Sequence, residues 1–142
     1  SVRMRLYASP EYLAAHGPPE QIEDMRHHRL ICQNTKSAQV GAGLQLVQKL
    51  MTYNLPSMLT VNNYFGVLQA VIHHLGIGVL PDYVTQDFEG VTRVLPELES
   101  VEVPVYLAYP EELRHSKRID AFRDFVLSEI IEHRRNLRDA SQ

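Results

Sequence analysis

Thr60–Pro81 is the stretch that most constrains this chain, because each of its junctions signals a change of backbone state. Thr60-Val61 closes an extended run. Asn62 or Asn63 then suits a helix N-cap, since an Asn side-chain oxygen accepts from an orphan amide of the first turn. Phe65, Leu68, Val71, Ile72 and Leu75 recur at helical spacing and predict one apolar stripe. Gly76 can take the left-handed conformation that closes a helix. Ile77-Gly78-Val79-Leu80 is a short apolar run of the kind buried in a parallel sheet, and Pro81 ends it. Strand, helix and strand in this order predict a right-handed crossover. Such a unit places its helix start, here Asn62, Asn63 and Tyr64, where free amides face a ligand.

The flanks continue the alternation. Arg3–Ala8 reads as a strand. Ser9-Pro10-Glu11 combines an N-cap, a first-turn proline and a first-turn acid, and Gly17 stops the resulting helix. Pro18-Pro19-Glu20 begins a second short helix carrying Ile22 and Met25. Leu30-Ile31-Cys32 is a short strand, and the polar run Asn34–Gly43 is a loop. Leu44–Leu50 looks extended, although Leu46, Val47 and Leu50 also suit a helical turn. After Pro81, a short helix over Asp82–Phe88 and a strand over Thr92–Leu95 are predicted. Val103–Tyr109 reads as a second apolar strand. Ser116 caps a long amphipathic helix with Ile119, Phe122, Val126 and Ile130 on one face. Alternation of this kind predicts an α/β fold with a mixed or parallel sheet.

Composition removes several classes of function. At 142 residues, 44% hydrophobic and 22% charged, the chain suits one soluble domain or two small lobes. No apolar run has the length of a membrane span, and Ser1–Arg5 has no secretory h-region. A net charge of −3 argues against nucleic-acid binding by these residues themselves. His27-His28 and His73-His74 are adjacent pairs, and helical neighbours diverge too widely to chelate one ion. Cys32 is alone, so no internal disulfide forms and a reducing compartment is expected. Gly41-Ala42-Gly43 and Gly76-Ile77-Gly78 are too short for phosphate loops. No cofactor is called for, and no enzyme is expected.

Several fragments, in order, carry a resemblance. Tyr7-Ala8-Ser9-Pro10-Glu11-Tyr12-Leu13 is followed by His16-Gly17 and His28-Arg29-Leu30-Ile31. Gly76-Ile77-Gly78-Val79-Leu80-Pro81-Asp82-Tyr83 precedes Arg93-Val94-Leu95-Pro96, Val105–Pro110 and Ser116–Phe125. The ordered set covers nearly the whole chain and resembles LysR-type transcriptional regulators. The resemblance implies an α/β fold of the periplasmic-binding-protein-like (type 2) kind: a lobe with a mixed sheet, plus a returning strand and helix of the other lobe. It assigns residues 9–102 to lobe two, and residues 1–8 and 103–142 to the crossover strands and an incomplete lobe one. The family's DNA-binding domain is absent from these residues. The implied function is effector sensing in a cytoplasmic regulator that acts as a dimer or tetramer and binds DNA only through that absent domain. Another expectation is that a further chain covers Ile119, Phe122 and Val126. A solute-binding protein of a transporter is the alternative on the same fold.

The candidate site follows from the rule that ligands lie beyond the carboxyl ends of strands. Gln33 and Asn34 end one strand, Asn62, Asn63, Tyr64 and Phe65 open the helix, and Pro81 ends the next strand. These residues are the expected contacts for a small polar or anionic effector. A plain capping role for the asparagines and a core role for the aromatics explain them equally well. Cys32 is either a redox-sensitive thiol or a small buried apolar residue.

Overall fold

The computed structural model describes residues 2–34, 41–86, 88–98 and 102–139. Residues up to Pro104 and those from Val105 onward form two separate units. The first unit is built on a six-stranded mixed sheet. Its strands are β1 (Val2–Ala8), β2 (Arg29–Gln33), β3 (Ser57–Val61), β4 (Ile77–Pro81), β5 (Thr92–Val94) and β6 (Glu102–Val103). The path runs β3-β2-β4-β1-β5, and β6 pairs with the start of β1. Strands β2, β3 and β4 are mutually parallel, with Cys32 opposite Thr60 and Leu30 opposite Ile77. β1 is antiparallel to β4, β5 and β6. The expected mixed sheet is thus present.

The helices of this unit are α1 (Pro10–His16), α2 (Gly41–Met51), α3 (Tyr64–Ile72) and α4 (Asp82–Thr85). Ser9 caps α1 by accepting from the Tyr12 amide at 3.1 Å, and Gly17 closes it at φ 77°. The segment read as a second short helix is a 3₁₀ turn over Ile22–His27. Asp24 tightens it by accepting from the Glu20 and Gln21 amides. The polar-loop reading falls largely on residues outside those described. Leu44–Leu50 belongs to a helix rather than an extended run. Leu46, Val47 and Leu50 are buried there, a spacing of one and three that only helical periodicity places on one face.

The unit organised around Thr60 forms as β3–α3–β4, crossing over β2. Two details differ from expectation. The buried face of α3 is Val67, Leu68, Ala70 and Val71, while Phe65 is 71% exposed and Leu75 42%. The stripe is therefore rotated, and the first-turn aromatic and the residue beyond the helix both face out. The left-handed residue after the helix is His74 at φ 63°, not Gly76. Gly76 serves close approach instead, because a Cβ there would collide with the carbonyl oxygen of Arg29.

Two apolar clusters sandwich the sheet. Met4, Leu6, Ala8, Leu30, Cys32, Ile77, Val79 and Val94 join Tyr12, Met25 and the buried face of α2 on one side. Tyr7, Ile31 and Leu80 join α3 on the other. β4 is buried at every position because it has helices on both faces and strands on both edges.

The second unit holds a 3₁₀ turn at Glu111–Leu113 and the long helix α5 (Lys117–Asp139). The strand expected over Val103–Tyr109 reduces to β6. Pro104 lacks the amide that a ladder needs, and Val105, Tyr106 and Leu107 are exposed. On α5, Ile119 and Val126 are half-buried, whereas Phe122 and Ile130 are exposed. Arg123 pairs with Asp120 and Asp124 on this helix, and the Asp124 carboxylate leads in holding its guanidinium charged.

Candidate functional site

Parallel strands bring their carboxyl ends to one rim. Gln33 lies opposite Val61 in the β2–β3 ladder. The β2–β4 register, continued from Ile31 opposite Gly78, brings Asn34 level with Pro81. The Asn34 amide donates to the Val61 carbonyl at 2.7 Å, which carries β2 one residue past its strand bounds. The end of β2 is thereby fixed to the start of the β3–α3 turn.

The turn is held by amide side chains. Asn63 is the N-cap: its Oδ1 accepts from the Gly66 amide at 2.8 Å, while its Nδ2 donates to Asn62 Oδ1 at 2.9 Å. Gln33 Nε2 donates to the Asn62 carbonyl at 3.1 Å. Gly66 was not singled out from sequence, yet its distance of three from Asn63 is the N-cap signal that finds it. The remaining first-turn amides, Tyr64 and Phe65, lack intrahelical acceptors by construction. They lend the partial positive charge of the helix start to the rim.

The rim has an orphan as well. Gln33 Oε1 is buried and has no hydrogen-bond partner among the described residues. A buried carbonyl oxygen left unpaired costs about 1–3 kcal/mol, so it is an acceptor in want of a donor. Tyr64 is half-buried between the two apolar clusters, and burial, then the neighbouring Tyr83 phenol, pushes its own phenol up. Phe65 stands out from the rim. Pro81 is buried and faces Met4 in the β1–β4 ladder, so it shapes the rim from below. Cys32 is buried one residue before Gln33, and burial alone pushes its thiol up. That is the setting of a packed apolar side chain, since a reactive thiol needs a lowered pKa and access.

His28 and His74 are engaged structurally. His28 Nδ1 shares a 2.9 Å hydrogen bond with Tyr12 Oη, and His74 Nδ1 shares one of 2.8 Å with Ser9 Oγ. Among the described residues no three His, Cys, Asp or Glu side chains gather as a metal site. Among them, too, no helix is long and apolar enough to cross a membrane.

A mixed sheet with a parallel core, whose strand ends meet a capped helix start at one rim, defines an open α/β lobe. The chain belongs to the LysR substrate binding domain family, which matches residues 1–130. It is an effector-binding domain of the LysR type with the periplasmic-binding-protein-like fold. An uncharacterized HTH-type transcriptional regulator of Haemophilus influenzae is 27% identical over 111 residues, 76% of this chain and 38% of that protein. The uncharacterized HTH-type transcriptional regulator YhjC of Escherichia coli is 26% identical over 124 residues, 84% and 42% respectively. The chain thus spans about two fifths of the length of these relatives. The regulatory domain of CrgA from Neisseria meningitidis superposes with a TM-score of 0.67 at 22% identity, covering 90% of this chain and 64% of that one. The effector domain of AmpR from Pseudomonas aeruginosa superposes at 0.62 with 18% identity, covering 96% and 66%. The solute-binding-protein alternative gains no support from these likenesses.

Proposed function

We propose that this chain senses a small effector for a LysR-type transcriptional regulator, with the contact made at the rim of β2, β3 and β4. Gln33, Asn34, Asn62, Asn63, Tyr64, Phe65 and Pro81 form that contact. The observation that carries the reading is the pairing of two free amides at the start of α3 with the orphan Gln33 Oε1. An oxyanion satisfies the amides, and a hydroxyl or amine of the same molecule satisfies the oxygen. The effector class is therefore a small hydroxy or amino acid. Residues 9–102 act as lobe two, while residues 1–8 and 103–142 provide the crossover strands and part of lobe one.

The regulator binds DNA through a segment outside these residues, works in the cytoplasm as a dimer or tetramer, and does no chemistry of its own. Effector binding biases one of two arrangements of the full-length protein, to the extent that affinity for the two differs. The test is calorimetry on the full-length protein with a panel of small hydroxy and amino acids, repeated for Asn63→Ala and Gln33→Leu. A compound that binds the wild type and loses about tenfold or more in affinity in either variant supports the site. Unchanged affinity in both variants removes the rim from the proposal.

A further inference from the structure

Arg3, Arg5 and Arg93 lie on one face of the sheet, the face on which Tyr7 packs. Arg3, Arg5 and Tyr7 alternate along β1, and Arg93 stands opposite Tyr7 in the β1–β5 ladder. Continuing that ladder from Leu6 opposite Val94 makes Arg5 and Arg93 diagonal neighbours, about 7–8 Å apart by strand geometry. The three arginines are treated differently. Arg3 donates through both Nε and Nη2 to Glu102 Oε1, at 3.0 and 2.7 Å. Arg93 spends one donor on the Pro96 carbonyl, and its acidic neighbour is Glu97. Among the described residues Arg5 has no carboxylate partner, and its buried Nε has no hydrogen-bond partner. A half-buried guanidinium with an orphaned donor, beside a second guanidinium, is an unusual thing to leave in a sheet. Partial desolvation, then the charge of Arg5, lowers the pKa of Arg93, with Tyr7 and Glu97 opposing. The two cations therefore repel each other across the β1–β5 ladder.

We propose that Arg5 and Arg93 together form a second binding site, separate from the β2–β3–β4 rim, that takes a small oxyanion between their guanidinium groups. The unpaired Arg5 guanidinium and the exposed Arg93 fork supply the donors. Such paired, charge-assisted bonds suit a carboxylate or a phosphate alike. The bound charge cancels the repulsion between the two arginines, so occupancy stabilises the fold.

The test is the thermal midpoint of the full-length protein titrated with sodium phosphate and, separately, with sodium acetate, against sodium chloride at matched ionic strength. A saturable rise with phosphate, acetate or both, beyond that with chloride, is expected, and the more effective salt tells which oxyanion the site prefers. Arg5→Gln and Arg93→Gln should each weaken the apparent affinity about tenfold, the scale of one charge-assisted hydrogen bond. Arg3→Gln, whose native side chain is committed to Glu102, should weaken it less than about twofold on the same scale. Asn63→Ala should leave the response intact, which separates this site from the rim. A response that tracks ionic strength alone, or that survives in Arg93→Gln at wild-type affinity, overturns the proposal. Arg93 is exposed, so that variant is informative even if Arg5→Gln does not fold.

Discussion

Strands β2, β3 and β4 run parallel and carry a single charged residue, Arg29, at the entry to β2; β1 and β5, on the far side of β4, run antiparallel and carry Arg3, Arg5 and Arg93. The difference has a physical origin. β2 and β4 are covered on both faces, so a charge within them has no water to reach, whereas β3 lies at the edge and is largely exposed. On β1 and β5 the cover of the α3 face reaches Tyr7 but leaves Arg3, Arg5 and Arg93 exposed or half-buried. The parallel half gains a rim at which three carboxyl ends converge. The antiparallel half gains a face on which charge can be displayed. One sheet thus carries both proposed contacts, the rim on β2, β3 and β4 and the arginines on the neighbouring β1 and β5.

The comparison is broken most directly by deleting volume from the parallel half. Leu30 is fully buried between β3 and β4, and Leu30→Ala should cost about 3 kcal/mol by urea denaturation. Thr92→Ala on the exposed edge strand β5 should stay within about 0.5 kcal/mol. Equal costs would mean that the two halves do not differ as described.

Gly78 probes the contact between that half and its helix. A Cβ there would run into Val71 of α3, a buried residue, so Gly78→Ala should destabilise by about 2 kcal/mol in the same measurement. The rim itself is reached by Asn63→Ala, which removes the cap on Gly66 and should cost about 1 kcal/mol.

The last test concerns the join between the halves. His28 leads into β2 and bonds Tyr12, which follows β1. Burial, then the charges of His16 and His27, lowers the His28 pKa below the ordinary 6.5, with Asp24 opposing. In the window between 6.5 and that lowered value, the unfolded chain takes up a proton that the folded chain refuses. Stability should therefore fall as pH drops through this window. His28→Gln should flatten the slope in urea titrations between pH 7 and pH 5, about the range spanned by histidine titration. An unchanged slope would detach His28 from the effect.

Much of this was legible beforehand where a local signal has one structural meaning. Ser9-Pro10-Glu11 could only start a helix, and Ile77–Pro81 could only be a covered strand. The failures share a cause. Leu46, Val47 and Leu50 fit either period over so short a run, and packing against β1 decided for the helix. Phe65 is spaced for the core, yet it falls in the first turn, where the helix start faces the rim. Val105–Tyr109 has the residues of a strand but follows Pro104 and has no described neighbour to pair with. At the rim, Asn63 was readable as a cap from its own chemistry. The orphan atoms of Gln33 and Arg5 were not, because an unmet hydrogen bond is a property of what surrounds a side chain in space.

The position of β1 also sets an order of events. Met4 finds its partner at Pro81, Leu6 at Val94 and Arg3 at Glu102, a residue 99 positions away. Everything between Arg29 and Pro81 can close through shorter loops. Ordering distant segments costs loop entropy before any contact repays it, so β1 is the slow partner in folding. During synthesis, β1 waits for nearly the whole unit to emerge before it can pair with these partners.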